Sequence, residues 1–502
     1  MSLPNLIGRH RLLALLALAL LVGLAFQGSR GLWDPDEGRY TNVSLQMLRT
    51  GDLVTLYRHS DSYHFTKPPL TYWAMAASMK TLGHNEWAAR LPMALAFALS
   101  VMLVFRLGKT FVPDRPWLPA LIYLSAPLPV FGAFLINTDS MLAAMETLAV
   151  LCYVQARFAG GSPRWLDAMW AAFGLAFLTK GPPGLLPLLA IIAFDLVHRK
   201  KPGLLRPWGL IAFAVIGFTW YVLAIERHPG LLDYFLGHEV LARVANPELG
   251  RNPEWYGPLQ VYLPALTLGL LPWFPVALWK IRHARPRWSG AAPELRFLWL
   301  WLALPLLVFC LSRSRLPLYV LPLCAPLSLL MARALSSVRF TGKTWLSVGI
   351  WLLLLIGLKG LAGMDLSGDN SLFQGLRRNN AANLAAQMRP LLPGPAREIV
   401  FVEDKTRYGL HLYLDTEIEK VSFKRWPKAI SDASFDKTLD DSLRESHGGR
   451  VFFFKRPNTG YFLEAVRLTG KQPVLLGVLA DPSGRSDLDR MLYTLEGDFP
   501  AQ

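Results

Sequence analysis

Cysteine is nearly missing from this chain: three occur among 502 residues, Cys152, Cys310 and Cys324, and each lies inside an apolar run. That scarcity excludes a disulfide framework and a thiolate metal centre. Charge is scarce too, at 18% of residues against 52% hydrophobic, and the apolar residues fall in blocks. This is the composition of a polytopic membrane protein. No internal repeat is visible, and no small-x-small cleavage site follows the first apolar block, Leu12 to Phe26. The block is therefore expected to be a retained signal anchor, with Arg9, His10 and Arg11 holding its start in the cytoplasm.

Acids are outnumbered, 36 to 52 bases, for a formal net charge of +16. The bases sit largely in short links between apolar runs and in the C-terminal tail. The positive-inside tendency accounts for much of the excess, and no nucleic-acid partner is expected.

Segments of spanning length fall near 11–28, 87–107, 117–135, 139–157, 165–179, 182–198, 208–226, 258–279, 296–312, 315–333 and 344–362. The expected fold is a polytopic α-helical membrane protein of about 11–13 transmembrane helices with a small C-terminal α/β periplasmic domain. Residues 1–362 form the membrane domain, including periplasmic loops 30–90 and 227–257, and residues 363–502 the soluble one. With the start inside, the links "RLGKTFVPDR", "ARFAGGSPR", "HRKKPGLLRP", "KIRHARPRW" and "ARALSSVRFTGK" are cytoplasmic and basic. The opposite links carry the acids and mixed charges: "DPDEGRY" through "HFTKPPL", "INTDS", "LTKGPP", "ERHPG" through "RNPEWYG", and "SRSRLP". In the tail, "REIVFVE", "HLYLD", "RVFFFKR" and "PVLLGVLA" read as strands, and "NNAANLAAQMR" and "SDLDRML" as helices.

The first loop is long for a connection, which favours a functional role. It holds Asp34, Asp36, Glu37, Arg39 and Tyr40, then Tyr63, Lys67, Tyr72 and Trp73. Its prolines and aromatics fit helices lying along the interface, and the plain alternative for its acids is helix capping in a solvated loop. Asp139 in "INTDSMLAAM" has an N-cap as its plain role, and Lys180 in "FLTKGPPGLL" a snorkelling helix end. Arg313 and Arg315 stand on the outer face against the positive-inside tendency, which an anionic ligand explains. The link "YFLGHEVLARVANPELGRNPEWYG" adds His238, Glu239, Arg243, Arg251, Trp255 and Tyr256, with Glu239 and Arg243 at the spacing of a helical ion pair.

Lys67, Lys180, Arg243, Arg313 and Arg315 make a candidate cationic cradle for phosphate. Asp36, Glu37 and Asp139 suit a sugar's hydroxyls, an amine, or general-base work. Cations beside acids at a membrane surface fit a substrate that is part lipid, part phosphate and part polar head.

In order, "WDPDEGRY", "FTKPPLTYW", "GHNEWAARLP", "FLTKGPPGL", "LPWF" and "SRSRLPLYVLPLCAPLSLLMAR" resemble the aminoarabinose transferase and protein mannosyltransferase-like glycosyltransferases of the C superfamily. The resemblance implies a multi-pass enzyme of the bacterial inner membrane that moves a sugar from a polyprenyl (undecaprenyl) phosphate to an acceptor on the periplasmic face. In the aminoarabinose branch the acceptor is a lipid A phosphate. It further implies catalytic acids at Asp36, with Glu37 beside it, and Asp139. Donor-phosphate contacts are expected from Lys67, Lys180, Arg243, Arg315 and Tyr319, and other substrate contacts from Arg39, Tyr40, Tyr63, His238 and Glu239.

Two positions depart from the branch's pattern: Thr66-Lys67-Pro68 replaces Glu-Lys-Pro, and Glu239-Val240-Leu241-Ala242-Arg243 replaces Glu-His-x-x-Arg. Both missing groups are potential metal ligands, so no metal or other cofactor is assigned. The alternative acceptors are a protein Ser/Thr hydroxyl or another envelope glycan. A flippase for polyprenyl-linked sugars calls instead for midplane charges and repeated halves, and no repeat is visible.

Overall fold

The structure, a computed structural model, describes residues 3–198, 203–237, 251–284, 292–363, 379–424, 435–481 and 483–499. The chain divides into two compact units. One comprises Met1–Gln27, Lys67–Thr71 and Arg90–Ala362; the other comprises Gly28–Thr66, Tyr72–Ala89 and Gly363–Gln502. Most of the first loop, expected to belong with the membrane domain, thus groups with the tail.

In the first unit each of the eleven apolar segments read from the sequence is helical, though several are broken. Among the described residues five helices are long and apolar enough to cross a membrane, Glu86–Phe111, Pro207–Arg227, Pro293–Leu311, Pro317–Leu335 and Gly342–Gly363. A sixth joins them if Gly257–Leu270 and Trp273–His283, bent by 90°, count as one span. The bend falls at Leu271, whose extended ψ of 151° is what a following proline favours.

The segment expected at 117–135 breaks between Trp117–Leu124 and Pro127–Gly132. Polar groups freed there need partners, because lipid offers none. Ser125 Oγ donates to the Leu121 carbonyl at 2.6 Å and accepts from Trp273 Nε1 at 2.7 Å, while its own carbonyl accepts from Trp351 Nε1 at 2.8 Å. Lys359, buried within the helix Gly342–Gly363, donates to the Val22 and Gly23 carbonyls at the end of the helix Leu3–Leu24. It thus satisfies carbonyls that a helix end leaves without partners. The helices Asp139–Arg157, Arg164–Lys180 and Pro207–Arg227 pack side by side. Gly174 permits the last contact: a Cβ there would lie 3.0 Å from Ile216 Cβ.

The second unit holds a short hairpin, β1 (Tyr57–His59) and β2 (Ser62–Tyr63), and a six-stranded sheet. The sheet's strands are β3 (Glu398–Val402), β4 (Glu417–Ser422), β5 (Lys437–Thr438), β6 (Arg450–Lys455), β7 (Pro473–Leu479) and β8 (Arg490–Leu495), in spatial order 5-4-3-6-8-7. β3 pairs parallel with β4 (Ile399 opposite Ile418) and with β6 (Ile399 opposite Val451), whereas β8 runs antiparallel to β6 and β7. Every residue of β3 is buried, as expected for a central strand covered on both faces. Val400 and Val402 point to one core with Leu443 and Phe462, and Ile399 and Phe401 to the other with Met388 and Leu410.

Two expectations for the tail are corrected. "HLYLD" forms the helix Leu410–Leu414, because Leu410, Tyr413 and Leu414, three and four apart, meet one core. In "SDLDRML" only Ser486–Leu488 is helical; Met491 and Leu492 continue into β8, where their alternation serves opposite cores.

Within this unit the loop is fastened to the tail by its backbone. The Asp34 amide donates to the Asn379 carbonyl (2.7 Å), the Ala381 amide to the Leu32 carbonyl (2.9 Å), and the Leu32 amide to the Tyr413 hydroxyl oxygen (2.9 Å). The helix Asp36–Thr50, expected to lie along a membrane interface, has nearly all of Glu37–Met47 buried. One ring nitrogen of His411, Nδ1, sits 2.6 Å from Asn42 Oδ1.

Candidate active site

The acidic motif occupies the start of the helix Asp36–Thr50. Glu37 is buried and committed: both its oxygens accept from Arg30, at 2.6 and 3.0 Å, and Oε2 also accepts from the Trp33 amide at 2.8 Å. The Arg30 guanidinium lies 3.6 Å above the Trp33 ring. Asp36, one residue earlier, is exposed and pairs with Arg39 at 2.5 Å. Two neighbouring acids thus differ in accessibility: only Asp36 presents its carboxylate to solvent, at the positive end of a helix.

Asp34, named in the loop by the sequence but given no role there, is buried. Its Oδ1 accepts from the Gly409 amide at 3.1 Å, and its buried Oδ2 has no hydrogen-bond partner among the described residues. Burial pushes its pKa up to about 7, against the opposing pull of the Gly409 hydrogen bond and the Arg407 charge. Gly38 makes this packing possible, since a Cβ there would stand 1.9 Å from Asp34 Oδ1 and 2.4 Å from the Gly409 nitrogen. Tyr40 stacks on Tyr72 with centroids 5.3 Å apart, and Tyr63 packs against Tyr57 and Phe65.

In the first unit, Asp139 opens the helix Asp139–Arg157 and Lys180 ends the helix Arg164–Lys180. Lys180 Nζ donates to Asp139 Oδ1 at 2.5 Å and lies 4.2 Å from the centre of the Tyr319 ring. Asp139 is therefore not the cap; Asn137 Oδ1 takes that role by accepting from the Ser140 amide at 2.8 Å. Lys180 does not snorkel either: it is mostly buried against an acid and an aromatic face. Asp139, Lys180 and Tyr319, 41 to 180 positions apart along the chain, are brought together.

Arg315 is buried and its guanidinium donates to the carbonyls of Asn252 (2.7 Å), Glu254 (2.9 Å) and Cys310 (3.0 Å). Arg313 is exposed, and Lys67 is half-buried in the short segment Lys67–Thr71. Thr66 offers a hydroxyl, 2.9 Å from His64 Nε2, where the aminoarabinose branch offers a carboxylate. His238, Glu239 and Arg243 lie outside the described residues.

Two further polar groups of the first unit escaped sequence reading. Glu146, buried two turns along the helix from Asp139, has an Oε1 with no hydrogen-bond partner among the described residues. The Tyr262 hydroxyl is likewise buried and without a partner among them. The only signal for Glu146 was a carboxylate inside an apolar helix, seven positions from Asp139 and so on the same face; Tyr262 carried none.

Residues 66–223 match the family described as dolichyl-phosphate-mannose-protein mannosyltransferase. An undecaprenyl phosphate-alpha-4-amino-4-deoxy-L-arabinose arabinosyl transferase 2 of Pseudomonas fluorescens is 34% identical over 370 residues, covering 71% of this chain and 65% of that protein. A Yersinia pestis protein named as an arabinosyl transferase for the same sugar is 35% identical over 336 residues, covering 64% of this chain and 58% of its own length. The aligned stretch thus spans less than two thirds of these relatives. The crystal structure of ArnT from Cupriavidus metallidurans bound to undecaprenyl phosphate shares the fold, with a TM-score of 0.73 at 21% identity over 98% of this chain and 99% of that one. A multi-pass helical membrane protein with this motif order, these relatives and this fold is similar to the aminoarabinose transferases of the C superfamily of membrane glycosyltransferases.

Proposed function

We propose that the chain transfers a sugar of the 4-amino-4-deoxy-L-arabinose type from undecaprenyl phosphate to a lipid A phosphate, at the periplasmic face of the bacterial inner membrane. The observation that carries this is the Asp139–Lys180–Tyr319 cluster, in a chain whose relatives are named for that donor. About eleven spans, with the tail on the periplasmic side, complete the arrangement.

Lys180 bears the donor phosphate, with Lys67, Arg243 and Arg315. Because Asp139 and Tyr319 already hold Lys180, its charge is aimed before the substrate arrives and little reorganisation accompanies the reaction. The acceptor oxygen attacks the anomeric carbon opposite the departing phosphate: a C1–O bond forms, the bond from C1 to the phosphate oxygen breaks, and undecaprenyl phosphate leaves with the electron pair. The product is inverted at C1.

An ionised lipid A phosphate has no proton to lose, so Asp36 then orients the sugar or the neighbouring cations instead of serving as a base. Arg39, Tyr40 and Tyr63 support substrate contacts, as do His238 and Glu239. Glu37 holds Arg30 and the Trp33 amide, and its part is to fix the motif's shape. No step runs through a metal, since Thr66 supplies a neutral hydroxyl at one of the expected ligand positions.

Mass spectrometry of lipid A from cells lacking the gene, complemented with wild type or Asp36→Asn, tests the proposal. A pentosamine-sized mass that needs the gene and is lost with Asp36→Asn is the expected result. Unchanged lipid A in the deletion overturns the acceptor. The family match over residues 66–223 then favours a second reading, transfer to a protein Ser/Thr hydroxyl, in which Asp36 takes the hydroxyl proton.

A further inference from the structure

The cluster in the first unit leaves one charge unaccounted for. Asp139 is neutralised by Lys180 at 2.5 Å, so it has little left to offer a cation. Glu146 lies two turns along the same helix and on the same face, 4% exposed, and the charges acting on it are those of Lys180 and Asp139. Its Oε1 receives no hydrogen bond from any described residue. A buried carboxylate without a donor is costly, and such groups in native proteins call for an explanation such as a ligand. The Tyr262 hydroxyl, 2% exposed, is orphaned in the same way, and the groups acting on it are Tyr319, Arg315, Cys310 and Asp139. Two polar groups without a hydrogen-bond partner among the described residues, one a carboxyl group and one a hydroxyl, thus share Asp139 as a neighbour.

We propose that Glu146 is the specificity-determining residue for the donor sugar, accepting hydrogen bonds from its protonated amine, and that the Tyr262 hydroxyl serves a ring hydroxyl of the same sugar. This rests on the reading above that the donor is a sugar on a polyprenyl phosphate, and it names what selects the aminated sugar over its neutral counterpart. Lys180, held by Asp139, takes the phosphate end while Glu146 reads the amine. A carboxylate favours the ammonium by a charge-assisted bond and leaves a neutral hydroxyl analogue without that gain.

The test measures kcat/KM of the full-length enzyme in detergent with two synthetic polyprenyl-phosphate donors, one bearing a 4-amino-4-deoxypentose and one the same pentose with a 4-hydroxyl. Wild type should prefer the amino donor by about tenfold to a hundredfold, the scale of a hydrogen bond to a charged group. Glu146→Gln should bring the ratio near one by losing turnover of the amino donor while keeping that of the neutral donor, and Glu146→Asp should keep the preference. Tyr262→Phe should weaken both donors alike. A ratio unmoved by Glu146→Gln, or a uniform loss on both donors that Glu146→Asp does not relieve, overturns the assignment of Glu146. Wild-type turnover of neither donor by folded enzyme overturns the function proposed above, so the two failures are distinguishable.

Discussion

Neighbouring acids in one motif are set to different tasks by their surroundings. Glu37 is buried against Arg30 with its oxygens occupied, so Glu37→Gln should leave Arg30 as an uncompensated buried charge and cost about 3–5 kcal/mol. The measurement is thermal unfolding in detergent followed by fluorescence-detected size exclusion. Asp36→Asn, at an exposed position, should leave that midpoint within about 0.5 kcal/mol of wild type while abolishing transfer. A stable, fully active Asp36→Asn would sink the role given to that residue. At Asp34 the folded pKa of about 7 lies above the ordinary 3.8, so folding favours the protonated acid. Its contribution is fully present below about 3.8 and is lost as pH rises to about 7, with no further loss beyond. Wild type should therefore lose stability relative to Asp34→Asn across that window, and parallel pH profiles of the two would contradict it.

The hairpin β1–β2 shows how an element of the loop is held. His59 on β1 lies 2.6 Å from Glu398 Oε1 on β3 and 3.4 Å from Glu417 on β4. Lys437 of β5 meets Glu419 at 2.7 Å and also pairs with Glu445 and with Asp61 of the hairpin turn. Arg58 pairs with buried Asp436. Burial opposes charge on His59, but the Glu398 hydrogen bond and the charges of Glu419, Glu398 and Asp436 outweigh it and lift its pKa to about 9. A pKa raised above the ordinary 6.5 gives stability that is complete below 6.5 and lost as pH rises through about 9. Melting temperature should thus fall between pH 6.5 and 9 in wild type, and His59→Gln should lower it at pH 6 and flatten the slope. A wild-type curve flat across that range would count against the clasp.

For the whole molecule, the grouping of the first loop with the tail makes the tail part of the fold around the acidic motif. Truncation after Gly363 removes the backbone partners of Leu32 and Asp34 and the carboxylates facing Arg58 and His59. The truncated chain should be recovered aggregated or in low yield, and inactive, when compared with full-length protein by size exclusion and sugar transfer. Monodisperse, active truncated protein would show the tail to be dispensable.

The sequence by itself determined a polytopic helical membrane protein, because a spanning segment is a local matter of length and apolar composition. It also determined the residue types of the acidic motif, which keeps its acids, its base and its aromatic within a few positions, whereas Asp139, Lys180 and Tyr319 stand in three separate motifs. Tertiary structure alone decided their states. Whether Asp36 or Glu37 is accessible depends on Arg30 and the packing around Gly38, and Asp139 meets Lys180 only because two helices lie side by side. The tail's "HLYLD" alternates like a strand yet turns as a helix, because the core it meets decides the period. The contacts that bind loop to tail join residues 339 to 381 positions apart, and burial of their charges has no local signature in composition. Nor does a missing partner: Glu146 reads as one more acid until the helices around it are assembled and its Oε1 is left without a donor among the described residues.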